Sequence, residues 1–286
     1  MRKLRLIAID LDGTVINGSQ ENITPRTLTV FERAHSLGCM IAISTGRAVS
    51  MVPKSIKTLP FVDYLITSNG ACIRRTRDSA VLHHAFLDRP AVWEIVSAAK
   101  KQRAAFNVFF EDHAVFEMKS FSYMLAGIKH IRWKDRRQLR EARRSIRSVF
   151  SIERELRRNP APIEKMGCSF RSYAESEQAL YAIRTNGNVN AVRALENELE
   201  ITARGVSKGA ALRALCGLLH LEASEVAAFG DSGNDLSMRK SAGCFVAMGN
   251  ATSEVKIAAD FVTGTVSEDG VAQWLEQYLL RQYLEE

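Results

Sequence analysis

Four carboxylates, one lysine and a threonine, gathered in four short segments, hold the reactive chemistry of this sequence. In Asp10-Leu11-Asp12-Gly13-Thr14 two acids stand two residues apart, so an extended chain projects both to one side. One can attack as a nucleophile while the other exchanges protons, provided the two negative charges are tolerated together. A magnesium ion supplies that tolerance, since it prefers hard oxygen ligands and keeps several waters. Gly13 lets the chain turn away so that backbone amides reach a phosphate. Ser44-Thr45-Gly46-Arg47 sets a hydroxyl and turn amides before a predicted helix, which suits phosphate oxygens. Gly205-Val206-Ser207-Lys208-Gly209 starts a helix with a lysine, although the helix dipole favours anions there; an ammonium facing a phosphate and Asp10 would explain it. Gly230-Asp231-Ser232-Gly233-Asn234-Asp235 adds two more acids. Asp231 is best placed as a direct cation ligand, Asp235 to bind through water or to orient Lys208, and Asn234 to donate to a phosphate oxygen. Taken singly, each segment has a plainer reading: an Asp-rich strand exit, a capped helix, an exposed lysine, an Asx turn. Their shared placement argues otherwise. Each falls at or just after the end of a predicted strand, where open α/β sheets bind ligands.

The strands and helices that carry these groups alternate at both ends of the chain. Leu4–Asp10, Met40–Ser44 and Tyr64–Thr67 read as strands, separated by helices over Thr24–Gly38, with Thr24 as N-cap and Pro25 in the first turn, and over Arg47–Leu59. The alternation resumes with helix Lys208–Gly217, strand Val226–Phe229, helix Asp235–Ala242, strand Cys244–Ala247, helix Ser253–Ala259, strand Phe261–Thr263 and a last helix. This rhythm implies right-handed crossovers and a doubly wound parallel sheet. The middle reads as α+β: helix Pro90–Arg103, strands Phe106–Phe110 and Ala114–Met118, then Ile163–Phe170, a helix near Glu175–Arg184, and strands Val189–Leu195 and Leu199–Thr202. The expected organisation is an α/β core over 1–87 and 204–286, interrupted by an inserted α+β cap over 88–203.

Composition narrows the function classes. The chain has 286 residues, 46% of them hydrophobic and 25% charged, as soluble globular proteins do. No apolar run approaches the roughly 18 residues of a membrane span. The basic, then apolar, start ends at Asp10 without a small-residue cleavage site, so export is not expected. Five scattered cysteines form no Cys-x-x-Cys pair, which points to reduced thiols in the cytoplasm and to neither a disulfide framework nor a zinc site. His83-His84 lacks a third ligand at suitable spacing and reads as surface or hinge. The net charge of +7 concentrates in Arg132, Lys134, Arg136, Arg137, Arg140, Arg143, Arg144 and Arg147, with Arg154, Arg157 and Arg158 behind. Beyond Trp133 no aromatic residue interleaves them, so a solvated helix face is expected and nucleic acid is not the expected partner.

Together the four segments resemble the haloacid dehalogenase superfamily, and within it the Cof-type sugar-phosphate phosphatases with a large α/β cap. Ser68-Asn69-Gly70-Ala71, Ala247-Met248-Gly249-Asn250-Ala251, Ala259-Asp260-Phe261-Val262-Thr263 and Glu268-Asp269-Gly270-Val271 extend the resemblance across both core halves; in the cap it is loose, centred on Lys165. Arg239 and Lys240 depart from the family's apolar preference after Met238, as does the arginine-dense stretch. The resemblance implies a two-step transfer: Asp10 takes the phosphoryl group while Asp12 protonates the leaving oxygen, and Asp12 then activates water. It implies magnesium on Asp10, Asp12 (through its carbonyl), Asp231 and Asp235, and phosphate held by Leu11, Thr45, Gly46, Lys208 and Asn234. The expected substrate is a small phosphorylated metabolite. A phosphomutase on the same core, or a polyanion-binding module using the basic stretch, are the alternatives.

Overall fold

The computed structural model describes residues 3–17, 22–120, 146–185 and 188–284, with the backbone alone from 279 onward. Most of the basic stretch, Arg132 to Arg144, lies outside the described residues. The chain divides into two compact units. One comprises residues 1–46, 53–83 and 207–286, and the other residues 47–52 and 84–206.

In chain order the strands are β1 (Leu6–Ile9), β2 (Met40–Ser44), β3 (Tyr64–Thr67), β4 (Cys72–Arg75), β5 (Val81–His84), β6 (Ala105–Phe110), β7 (Ala114–Glu117), β8 (Ile146–Val149), β9 (Ile163–Ser169), β10 (Val189–Leu195), β11 (Glu198–Ala203), β12 (Val226–Gly230), β13 (Cys244–Ala247) and β14 (Phe261–Val262). The first unit is built on an eight-stranded sheet of order β14-β13-β12-β1-β2-β3-β4-β5. Its strands from β14 to β3 are parallel, and β1 lies between β12 and β2 with Ile9 opposite both Phe229 and Ile43. Leu6–Ile9 is buried throughout, as a strand covered on both faces must be. Chain order reverses between β1 and β12, which makes their carboxyl ends the natural binding crevice.

The sequence expectations need three corrections here. The sheet carries an antiparallel addition, β4 paired against β3 and β5 beyond it, entered through the tight turn Ser68–Gly70. The helix expected over Arg47–Leu59 is a 3-10 turn at Val49–Met51 and a four-residue helix at Lys54–Lys57, separated by Pro53. The helix expected over Asp235–Ala242 is a 3-10 turn, Leu236–Lys240. By contrast Thr24 caps helix Pro25–Ser36, its Oγ1 accepting from Thr27 N at 3.2 Å.

The second unit holds a six-stranded sheet of order β10-β11-β9-β6-β7-β8. Alternate residues of its central strands, among them Phe106, Val108, Met166, Cys168, Leu199 and Ile201, join one apolar core with Ile95, Ala99, Leu180 and Ile183 of the helices Arg89–Lys101 and Tyr173–Thr185. On the opposite face Ala48 and Met51 pack with Phe109, Ala114 and Phe116, which ties residues 47–52 to this unit. Two of the described basic residues are engaged locally. Arg147 pairs with Glu155, and the Arg157 guanidinium lies 5.0 Å over the Trp93 ring. His84 is no plain surface residue, since its Nε2 lies 2.6 Å from the buried Glu164 carboxylate.

Among the described residues no helix is long and apolar enough to cross a membrane. All five cysteines are free and buried.

Candidate active site

Asp10 leaves the end of β1 into a buried position, its amide donating to Phe229 O across the sheet. The next residues fold tightly: the amides of Val15 and Ile16 donate to Leu11 O at 3.1 and 3.0 Å. This reversal places Thr14 back over Asp10, and its Oγ1 reaches Asp10 Oδ2 and Asp231 Oδ1, each at 3.3 Å. Gly13 adopts φ +84°, and a Cβ there would fall 2.4 Å from Asp231 Oδ2, so both its conformation and its space require glycine. Asn250 Nδ2 donates to Gly13 O and its Oδ1 accepts from Val266 N, fixing the far side of the turn. Asp12 stands exposed at the turn, open to water.

Lys208 lies in the first turn of helix Lys208–Leu219, which Ser207 caps through Ala210 N. It is 1% exposed, and its Nζ donates to Asp10 Oδ1 and to Asp235 Oδ1 at 2.6 Å each. Asp235 is buried too. Its second oxygen accepts the amides of Asp231 and Ser232, both at 3.0 Å, so the carboxylate is held between the lysine and its own turn. That back-bonding, together with Ser237, explains why a 3-10 turn replaces the expected helix. Ser237 Oγ accepts from Gly209 N, and a Cβ on Gly209 would lie 1.9 Å from Ser237 O. Helix and turn therefore meet backbone to backbone, which brings Lys208 onto Asp235.

Burial dominates the electrostatics. It pushes the Asp10 carboxyl well above the ordinary carboxylate range; Lys208 opposes this, while Asp235, Asp231 and Asp12 add to it. Burial and then the charge of Asp235 raise Asp231 to about 7, against the pull of Lys208 and the Thr14 hydrogen bond. Burial alone would depress Lys208, but the charges of Asp10 and Asp235 and their hydrogen bonds outweigh it and raise its pKa. One ammonium thus faces three carboxylates. Carboxylate oxygens of Asp10, Asp231 and Asp235 lie within 4.8 Å of one another, an all-oxygen donor set with surplus negative charge that fits a hard divalent cation.

The remaining expected site residues lie at neighbouring strand ends. Thr45 is buried after β2, with its amide donating to Ile66 O, and Gly46 follows it half-buried. Asn234 is half-buried, and its Nδ2 donates to Asn69 Oδ1 at 3.2 Å. Asn69 and Ser68 both take left-handed backbone (φ 57° and 50°), uncommon for residues with side chains and a mark of an over-determined turn. Spacing alone assigns no role to Thr14, Asn69, Gly209 or Asn250. The available signal was Ser-Asn-Gly directly after a strand for Asn69; the others depend on tertiary partners.

The chain resembles known proteins along nearly its whole length. The profile of the haloacid dehalogenase-like hydrolase family matches residues 7–275. The phosphatase YwpJ of Bacillus subtilis (strain 168) is 29% identical, covering 96% of this chain and 100% of its own. The 5-amino-6-(5-phospho-D-ribitylamino)uracil phosphatase YcsE of the same organism is 28% identical, covering 97% and 96%. A haloacid dehalogenase-like hydrolase from B. subtilis superimposes with a TM-score of 0.85 at 26% identity, over 96% of this chain and 99% of that one.

Proposed function

The chain belongs to the haloacid dehalogenase-like hydrolase family and is one of its phosphatases, and on that premise we propose that it uses magnesium and an aspartyl-phosphate on Asp10 to hydrolyse small phosphorylated metabolites. The observation that carries this reading is Lys208, fully buried and bonded at once to Asp10 and Asp235. A lysine so held stabilises charge on a phosphoryl group approaching Asp10, and the fixed geometry avoids reorganisation during the reaction.

In the first step a carboxylate oxygen of Asp10 attacks phosphorus in line, the bond to the leaving oxygen breaks, and Asp12 gives that oxygen its proton. In the second, Asp12 takes a proton from water, whose oxygen attacks phosphorus and releases the Asp10 carboxylate. Thr14 bonds to both Asp10 and Asp231 and so fixes their relative orientation. Asp235 acts through Lys208, as a positioning residue. Leu11, Thr45, Gly46 and Asn234 are assigned to the non-reacting phosphate oxygens. Asp10, Asp231 and the carbonyl of Asp12 would hold magnesium, which when bound neutralises charge on the transferring group, and Asp235 borders that set.

These groups serve phosphate and cation, and none is left to read the rest of a metabolite. Substrate selection is therefore assigned to the inserted segment, residues 88–203. Five buried free thiols support a reducing, cytoplasmic setting. The direct test is inorganic phosphate release from a panel of phosphorylated metabolites, with and without magnesium. Stoichiometric phosphate supports hydrolysis. Isomerised phosphoester without free phosphate would indicate a mutase instead.

A further inference from the structure

Gly13 is both indispensable to the acid turn and its weak point. Only glycine fits beside the Asp231 carboxylate, yet glycine leaves the backbone freer than any other residue. Asp12 directly precedes it, so a swing at Gly13 moves the acid assigned to the leaving oxygen. Two bonds restrain this hinge. The Gly13 amide donates to Ile16 O at 2.9 Å within the turn, and the Gly13 carbonyl accepts from Asn250 Nδ2 at 2.8 Å from outside it.

Asn250 is well placed to hold that carbonyl. Its side chain is exposed, but Oδ1 accepts from Val266 N at 2.8 Å, so both ends of the amide are engaged. Reversing the amide would set donor against donor and acceptor against acceptor, which fixes its orientation. The backbone beneath it is anchored as well. Gly249 N donates to Gly264 O at 2.9 Å, and a Cβ on Gly249 would stand 2.8 Å from Thr265 N. Thr265 and Glu268 in turn form a reciprocal capping box around the Val266–Glu268 turn.

The same segment holds the turn that carries Asp231. Met248 N donates to Gly230 O at 3.1 Å, and Thr252 N donates to Asp231 O at 3.0 Å. Residues 248–252 therefore grip carbonyls of both acid-bearing loops, and every group involved lies within the eight-stranded unit. An asparagine that only shapes its own turn bonds to backbone close by in sequence. Both partners of Asn250 lie in other segments, and one of them adjoins Asp12.

We propose that Asn250 is a positioning residue for Asp12: by holding the Gly13 carbonyl it sets the line along which Asp12 gives its proton to the leaving oxygen. This rests on the phosphatase reading above. Its consequence is a dependence on the leaving group. p-Nitrophenolate departs without a proton at neutral pH, whereas phenolate and alkoxide gain from one, so a displaced Asp12 costs esters of the second kind more.

The test measures kcat/KM, which reports the first transfer, for p-nitrophenyl phosphate, phenyl phosphate and glycerol 2-phosphate with magnesium in excess. It uses the parent protein, Asn250→Asp and Asn250→Ala, with thermal unfolding of each. Asn250→Asp keeps the acceptor for Val266 N and loses only the donor to Gly13 O; Asn250→Ala loses both. Each variant should lose about tenfold on phenyl phosphate and glycerol 2-phosphate, and about twofold or less on p-nitrophenyl phosphate. Asn250→Asp should melt close to the parent, and it decides the question alone if Asn250→Ala does not fold. Equal losses on all three esters would reduce Asn250 to a structural support and overturn the proposal. So would an Asn250→Asp variant that matches the parent on every ester. A parent releasing phosphate from none of the three would instead refute the phosphatase reading itself, and the proposal with it.

Discussion

In the eight-stranded unit the polar groups are delivered by loops at strand ends, whereas in the six-stranded unit they stand on the strands themselves. Asp10, Thr45 and Asp231 each follow directly on a strand, and the sheet register alone brings them together. Asn107, Lys165 and Glu200 are separated by long stretches of chain and meet only because β6, β9 and β11 pair in a particular register. Loops at a sheet's edge can be tightly specified by short motifs, and reaction chemistry demands that precision. A sheet face varies one side chain at a time without disturbing the strands, so its polar groups carry no local sequence signature.

Substitutions in each unit test this contrast. The largest effect is expected for Asp10→Asn, which keeps volume but removes the nucleophile: phosphate release should fall at least about a thousandfold for every ester, with near-parental thermal unfolding. A variant retaining a few per cent of activity would contradict covalent transfer. Gly209→Ala comes next. Its Cβ would lie 1.9 Å from the Ser237 carbonyl oxygen, so the helix must shift and carry Lys208 off Asp235. A loss of about 2–4 kcal/mol in denaturant unfolding is expected, with activity falling across all substrates. Parental stability would show that the backbone contact does not position the lysine.

A smaller effect concerns pH in the absence of divalent cation. Asp231 is raised to about 7 by burial and the charge of Asp235, and Asp10 is raised as well. A carboxyl whose folded pKa exceeds its unfolded value contributes stability that is present at low pH and lost as pH rises through the folded value. Lys208, also raised, contributes uniformly over this range because it remains charged in both states. With chelator present the melting temperature should therefore decline as pH climbs through about 7, and magnesium should flatten that decline. Superimposable curves with and without magnesium would contradict the cation assignment. Smallest of all, Arg147→Ala with Arg157→Ala should cost about 1 kcal/mol or less, since each removes one partially exposed interaction in the inserted unit. Turnover of p-nitrophenyl phosphate should hold; a large drop would mean that these arginines serve the reaction.

The same contrast explains what could be read from the sequence. The alternating strands, the break into an α+β middle and the four motif segments were legible because each is local: a short apolar run followed by Gly, Asp, Ser or Thr. The helix expected over Arg47–Leu59 does not form because Pro53 interrupts it and because Ala48 and Met51 are drawn into the second unit's apolar cluster. The segment after Asp235 is a 3-10 turn in place of the expected helix because the Asp235 carboxylate bends back to its own turn, a preference that competes with helix formation. Strands β4 and β5 have no clear sequence signal because β4 turns from two buried apolar residues to two arginines and the edge strand β5 ends in two histidines. Thr14, Asn250 and Gly209 gain meaning only through Asp231, Gly13 and Ser237, partners that local pattern does not reveal.

The proposed passage of the phosphoryl group through the Asp10 carboxylate is tested by the configuration at phosphorus, without requiring the intermediate to accumulate. Two successive in-line displacements restore the original configuration, whereas direct attack by water inverts it. Hydrolysis of a phosphorothioate ester made chiral at phosphorus with oxygen-18, run in oxygen-17 water so that the released thiophosphate carries sulfur and three different oxygen isotopes, should proceed with retention. Inversion would show that water attacks the substrate directly, and Asp10 would then be no nucleophile.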